Sequence, residues 1–211
     1  MTVKEHPILF SAPMVRALLD GSKTQTRRVM RYQPDECASV TVERFHQTVV
    51  DRHGEEQPGP EVFGAWWADG EHGCACPYGQ PGDRLWVRES FWGCDLPGYG
   101  DQPCVVYEDE WHGKEYRPAE PRPWARKFGH IPGIHMPRDS SRINLEITGV
   151  RVERLQDISD ADSLAEGVDR TNTSIPGYAK KRYHQLWESI NGPGSWDANP
   201  WVWVVEFRRQ A

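Results

Sequence analysis

Apolar and polar positions along the chain change period several times, and each change marks an element. Ile8-Leu9-Phe10 reads as a short buried strand. Ser11 then suits a helix N-cap and Pro13 its first turn. Met14, Val15, Leu18 and Leu19 share one helical face, and Gly21 supplies the stop. The following Ser22–Val29 is polar but rich in β-branched and long side chains, a loop entering a strand. After the turn Pro81-Gly82-Asp83, Leu85 and Val87 face one way, as in a strand. Ile143, Leu145 and Ile147 alternate with Asn144, Glu146 and Thr148, which predicts a half-buried strand. Gly149 permits a bulge, and Val150 and Val152 carry the strand toward Leu155. Ser159-Asp160-Ala161-Asp162 is an N-cap with an acidic first turn, opening a short helix to about Glu166. Tyr183, Leu186, Trp187 and Ile190 sit on one face of a helix over about 178–190. Trp201–Phe207 closes the pattern as a strand buried on at least one face.

Between these elements lie two stretches with little period, about 33–75 and 93–137, read as loop-rich insertions. The second holds a possible hairpin around Val105–Tyr107 and Glu115–Arg117. Strands outnumber helices and lie far apart in sequence. This predicts one α+β domain over residues 1–211, a small mixed or antiparallel barrel with two or three helices outside it. Nineteen glycines and seventeen prolines agree with many turns.

Charge narrows the partners. The net charge is −6, which argues against wrapping an extended duplex. Residues 1–32 nevertheless carry Lys4, Arg16, Lys23, Arg27, Arg28 and Arg31 against only Glu5 and Asp20. A local basic site in an acidic molecule suits a small anionic or single-stranded ligand. The five cysteines, Cys37, Cys74, Cys76, Cys94 and Cys104, are odd in number, and the N-terminus has no signal-peptide pattern. These features predict free thiols in a reducing, cytoplasmic setting, with no membrane span.

Leu18-Leu19-Asp20-Gly21-Ser22-Lys23-Thr24-Gln25-Thr26-Arg27-Arg28 resembles the signature of the ASCH domain, a helix followed by Gly-x-Lys-x-x-Thr-x-Arg. Gly82–Val87, Ile158–Gly167 and Trp203–Phe207 are similar to its Gly-Asp turn and strand, its short helix ending in a glutamate, and its last strand. Cys76-Pro77-Tyr78-Gly79 and Ile134-His135-Met136-Pro137-Arg138 resemble marks of a larger variant carried by phages and prophages. The resemblance covers about half the chain by motif. It implies a PUA-like β-barrel that handles nucleosides or single-stranded RNA. Some ASCH proteins are metal-free, cofactor-free amidohydrolases that remove the acyl group from N4-acylcytidine with a lysine, a threonine and a glutamate. By motif these are Lys23, Thr26 and Glu166, and Arg28 takes the place of the signature arginine.

That chemistry is coherent. A threonine hydroxyl needs a base, and a partly buried lysine with cationic neighbours such as Arg27 and Arg28 can act as one. A carboxyl group can protonate the departing amine or hold the base edge. Arg27, Arg28, Trp86 and Trp92 are the expected substrate-binding residues, the tryptophans by stacking. Lys23 and Thr26 would face opposite sides of an ideal strand, so they converge only if residues 22–26 are irregular. Without the resemblance, Lys23-x-x-Thr26 reads as a surface lysine beside a turn threonine. Other readings are a non-catalytic RNA or modified-base binding module, a nuclease, and a zinc hydrolase built on His72, Cys74 and Cys76 with His53 or Cys94. The default for those cysteines is free loop thiols, since their spacing is not the usual Cys-x-x-Cys pair.

Overall fold

In the computed structural model, residues 2–35, 39–69, 72–95, 103–107, 117–118, 129–169, 171 and 175–210 are described. Glu115 and Tyr116 of the expected hairpin, together with Cys37, lie outside them.

The four strands expected from alternation all form, and they belong to one five-stranded sheet. It comprises β1 (Glu5–Leu9), β2 (Gln25–Val29), β6 (Arg84–Arg88), β11 (Asn144–Arg154) and β12 (Trp201–Arg209), in the order β1-β6-β11-β12-β2. β1 runs parallel to β6, and the other pairings are antiparallel. The expected irregularity at Gly149 is present as a register shift between Ile147 and Gly149 against β12. Helix α1 (Ala12–Leu19) follows Ser11, which stands at the N-cap position without a side-chain capping bond. Helix α2 (Asp160–Ala165) is capped by Ser159, whose hydroxyl accepts from the Asp162 amide at 3.0 Å. Helix α3 spans Tyr178–Asn191.

The alternation of β12 divides the molecule. Trp203, Val205 and Phe207 enter one core with Ile8, Phe10, Val15, Leu18, Leu85, Val87 and Leu145. Val202 and Val204 enter a second core on the other face, with Tyr183, Trp187, Trp196 and Ile158. β2 is therefore an edge strand with α1 on one side and α3 on the other. No ladder closes the sheet into a barrel among the described residues. The two edge strands are instead bridged by a side chain, since the Arg28 guanidinium donates to the Leu9 carbonyl at 2.6 Å.

The first insertion is not mostly loop. β3 (Val40–Val50) and β4 (Glu56–Trp67) form a long hairpin, and β5 (Gly73–Ala75) adds a third strand. Its tip is an Asp51 turn in which Oδ1 accepts from the His53 and Glu55 amides at 2.7 and 3.1 Å. Most β3 side chains are exposed, and the pattern therefore lacks the apolar alternation that marks a half-buried strand. In the second insertion β7 (Phe91–Asp95), β8 (Pro103–Tyr107), β9 (Arg117–Pro118) and β10 (Gly129–Ile131) pair in the order β10-β7-β8-β9. Cys104 is disulfide-bonded, contrary to the expectation of free thiols. Cys104 stands opposite Cys94 in the β7–β8 register. The cysteines thus give no argument for a reducing compartment. No helix among the described residues is long and apolar enough to cross a membrane.

Leu145 is fully buried between β6 and β12, whereas Val50 is 65 % exposed on the hairpin. Leu145→Ala is expected to cost about 2–5 kcal/mol of unfolding free energy. Val50→Ala should stay within about 0.5 kcal/mol. Urea titration of both variants checks the difference.

Candidate functional site

Two chain reversals bring residues 143 positions apart into contact. Gly21, at φ +78°, turns the chain after α1, and the Lys23 amide donates back to the Ala17 carbonyl at 2.9 Å. At the far end of α2, Glu166 is the C-cap residue and Gly167 turns the chain at φ +85°. Lys23 and Glu166 form an isolated antiparallel bridge, and the Thr24 amide donates to the Ala165 carbonyl at 2.8 Å. A Cβ on Gly167 would lie 2.8 Å from the Ala17 Cβ and 3.0 Å from the Lys23 Cβ, so this approach requires glycine.

The bridge carries a buried ion pair. Lys23 Nζ donates to the Glu166 carbonyl at 2.9 Å and to its carboxylate Oε2 at 2.8 Å. The other oxygen, Oε1, accepts from Arg27 Nη1 at 3.1 Å. An acid at a helix C-terminus opposes the helix dipole, and two cations offset that here. Burial pushes the Lys23 pKa below its usual value, with Glu166 pulling it back upward and Arg28 and Arg27 pressing it further down. Arg27 is the hub of the surrounding network. Its Nε donates to Glu153 at 3.0 Å, its Nη2 contacts Glu153 and also lies 3.5 Å from Asp162. Arg151 joins Glu153, Asp162 and Glu206 at the outer end.

Beside this pair lies a cavity of about 220 Å³, lined among others by Thr26, Arg28, Glu166, Tyr78, Tyr183 and Trp187. It wraps around the β2 edge. Thr26 and Arg28 stand opposite Val205 and Trp203 and so share the α1 face, whereas Arg27 stands opposite Val204 and shares the α3 face. The Arg28 guanidinium lies 5.3 Å from the Phe10 ring centroid and has no carboxylate partner among the described residues. Tyr183 is held well above its usual pKa, first by burial and then by the Glu166 charge.

The structure thus brings Thr26, Arg28 and Glu166 to one cavity and sets Lys23 directly behind Glu166. Lys23 and Thr26 are both 2 % exposed, so the reading of a surface lysine does not hold. No hydrogen bond joins Lys23 to Thr26, because the ammonium is turned to Glu166. Of residues 22–26, which convergence of Lys23 and Thr26 requires to be irregular, 22–24 precede β2 and Gln25 and Thr26 belong to the strand. Arg27 also lines the cavity, but its side chain is fully buried and its guanidinium is committed to three carboxylates. Trp86 and Trp92 are not at the cavity. Trp86 points away from Leu85 and Val87 and packs beneath Arg88 and Arg138. Trp92 lies on β7, edge-on to His130. Glu153, Tyr183 and Trp187 were the missed participants. The α3 period gave the two aromatics as apolar-face residues, and nothing in the alternation of β11 singled out Glu153.

Around the cysteine segment, Cys76 is a buried free thiol pushed up to about 11 by its burial, and His72 pairs with Asp69 at 2.7 Å. Among the described residues no group of three or more His, Cys, Asp or Glu side chains is arranged to hold a metal ion. No protein-family model, curated protein or solved structure matches the chain.

Removing one partner of a buried pair strands the other charge. Lys23→Ala is expected to cost about 3–5 kcal/mol of stability. The lowered lysine pKa also sets a pH dependence. Between that pKa and the ordinary 10.5 the unfolded chain binds more protons than the folded one, so this group's contribution rises with pH across the window. The stability difference between wild type and Lys23→Met should therefore grow in favour of wild type over the same range. Urea midpoints of both proteins from neutral to alkaline pH measure it, and a flat difference would refute the shift.

Proposed function

We propose that the chain is an ASCH-type amidohydrolase that removes the acyl group from an N4-acylated cytosine nucleoside or a related modified base, without a cofactor. In this reading the five-stranded sheet is a PUA-like barrel, its β1 and β2 edges spanned by the Arg28–Leu9 bond. The observation that carries the reading is the pairing of Lys23 with Glu166, which lines the same cavity as Thr26. Residues so far apart in sequence, one of them a buried lysine, are not brought together by local structure.

The reaction follows from the roles these groups can take. The Thr26 hydroxyl oxygen adds to the acyl carbonyl carbon. The Lys23–Glu166 pair accepts the hydroxyl proton, with Glu166 facing the cavity and Lys23 behind it. The bond from the carbonyl carbon to N4 then breaks, and the proton passes to N4. Water cleaves the resulting threonine ester, releasing the carboxylic acid and restoring the hydroxyl. Arg28, a lining cation without a carboxylate partner, is suited to the oxygen that gains negative charge. Arg27 acts by holding the Glu166 carboxylate in place.

One observation favours the alternative, a non-catalytic binder of single-stranded RNA or a modified base. Among the described residues Thr26 has no hydrogen-bonded base. Catalytic hydrogen bonds are often long before substrate binds, so this geometry is compatible with either reading. Turnover separates them. Wild type is expected to convert N4-acetylcytidine to cytidine, and Thr26→Ala to lose at least about 100-fold in kcat, followed by chromatographic separation of the two nucleosides. Binding of N4-acetylcytidine without any turnover by wild type would make the binding module the correct reading.

A further inference from the structure

A second cavity, of about 310 Å³, adjoins the one lined by Thr26 and Glu166, and the two share Met14, Arg28 and Ile190 in their linings. Its other walls come from parts of the chain far apart in sequence, Leu9 and Phe10 at the end of β1 and Pro132 and Ile134 in the second insertion. Gly133 lets the insertion come this close, since a Cβ there would lie 2.8 Å from the Leu9 Cδ1 and 2.9 Å from the Glu89 carbonyl carbon. Ser11, Ser90 and Arg28 supply the polar groups of this lining. Leu9, Ile134 and Ile190 are 45, 56 and 50 % exposed. One exposed apolar side chain is ordinary, but three from separate elements gathered around one concavity fit an apolar ligand group.

We propose that this second cavity is an acyl-chain subsite, so that the substrate carries an acyl group of several carbons rather than acetyl. This rests on the reading of the first cavity as an acylcytosine site. Arg28 marks the boundary between the two. Its guanidinium donates to the Leu9 carbonyl at 2.6 Å and lies 5.3 Å from the Phe10 ring centroid, and both of those residues line the second cavity. An acyl carbonyl carbon has three substituents. With N4 and its nucleoside in the first cavity and the oxygen at Arg28, the hydrocarbon is the substituent left to enter the second. An acetyl methyl, close in size to one water (roughly 30 Å³), would leave that space nearly empty. Each further methylene buried against Leu9, Ile134 and Ile190 adds binding that acetyl cannot gain.

The ratio of kcat/KM for N4-hexanoylcytidine to that for N4-acetylcytidine tests this. In wild type it should be at least about 10. Ile134→Asp should bring it within about 3-fold of unity, and Ile134→Leu should keep it high. Ile134 is more than half exposed, so neither change threatens folding. A wild-type ratio near or below unity, or a high ratio that survives in Ile134→Asp, would overturn the proposal while leaving the amidohydrolase reading intact. A second measurement is independent of turnover. N4-hexylcytidine and N4-ethylcytidine have no acyl bond to cleave, and calorimetric titration of wild type should show the hexyl compound bound at least about 10-fold more tightly, with the difference lost in Ile134→Asp. That binding difference without hydrolysis of either acyl substrate would leave the subsite standing and remove the amidohydrolase reading. Neither hydrolysis nor a binding difference would remove both.

Discussion

The buried bond between Lys23 and Glu166 is the constraint on which the rest of the site depends. A lysine ammonium taken out of water is tolerated only if its donors find acceptors and its charge finds an opposite. Glu166 supplies both, with its main-chain carbonyl and its carboxylate. The carboxylate must in turn be satisfied at its second oxygen, and Arg27 does this. Arg27 then draws in Glu153 and Asp162, and these draw in Arg151. One burial thus propagates outward as an alternating set of charges until it reaches solvent. The backbone follows the same demand: the approach of α2 to the end of α1 leaves no room for a Cβ at Gly167.

The position of β2 at the sheet edge explains how five residues acquire opposed tasks. In a central strand both faces and both ladders are occupied. Here one ladder runs to β12, and the other side of β2 is left to Glu166 and the cavity. Alternation then sends Thr26 and Arg28 toward α1 and Arg27 toward α3. The side chain that holds the carboxylate and the Thr26 and Arg28 side chains are neighbours in sequence but lie on opposite faces of the sheet. That separation lets Arg27 be wholly neutralised while Arg28 keeps a guanidinium free of carboxylates.

Much of this was legible from residue order. The strands of the central sheet announced themselves because each buries one face, and burial imposes the period of two. The joining of Lys23 with Glu166 followed from motif rather than period. Three features were not legible for physical reasons. The β3–β4 hairpin exposes most of its side chains, so its pairing is held by main-chain bonds that leave little mark on the sequence. Arg27 and Arg28 look alike as adjacent cations, and only the identity of what lies behind each face distinguishes a structural guanidinium from an accessible one. Trp86 is a large aromatic near a motif, but its parity on β6 sends it away from the core that Leu85 and Val87 enter.

The distribution of satisfied and unsatisfied groups is itself informative. Most buried polar side chains here are paired to saturation, as with Arg27, Glu166 and Asp83, whose oxygens accept from the Lys4 and Gln80 amides. At the cavity the rule lapses. Among the described residues the Thr26 hydroxyl has no hydrogen-bond partner, Arg28 has no carboxylate partner, and the Trp187 N–H has no acceptor. A chain able to satisfy a buried lysine through four successive partners is under no general shortage of acceptors. The deficit is not confined to the cavity, since the unpartnered His6 Nε2 and Trp201 Nε1 lie on residues outside its lining. Each such group lowers stability by leaving a buried donor or acceptor unpaired.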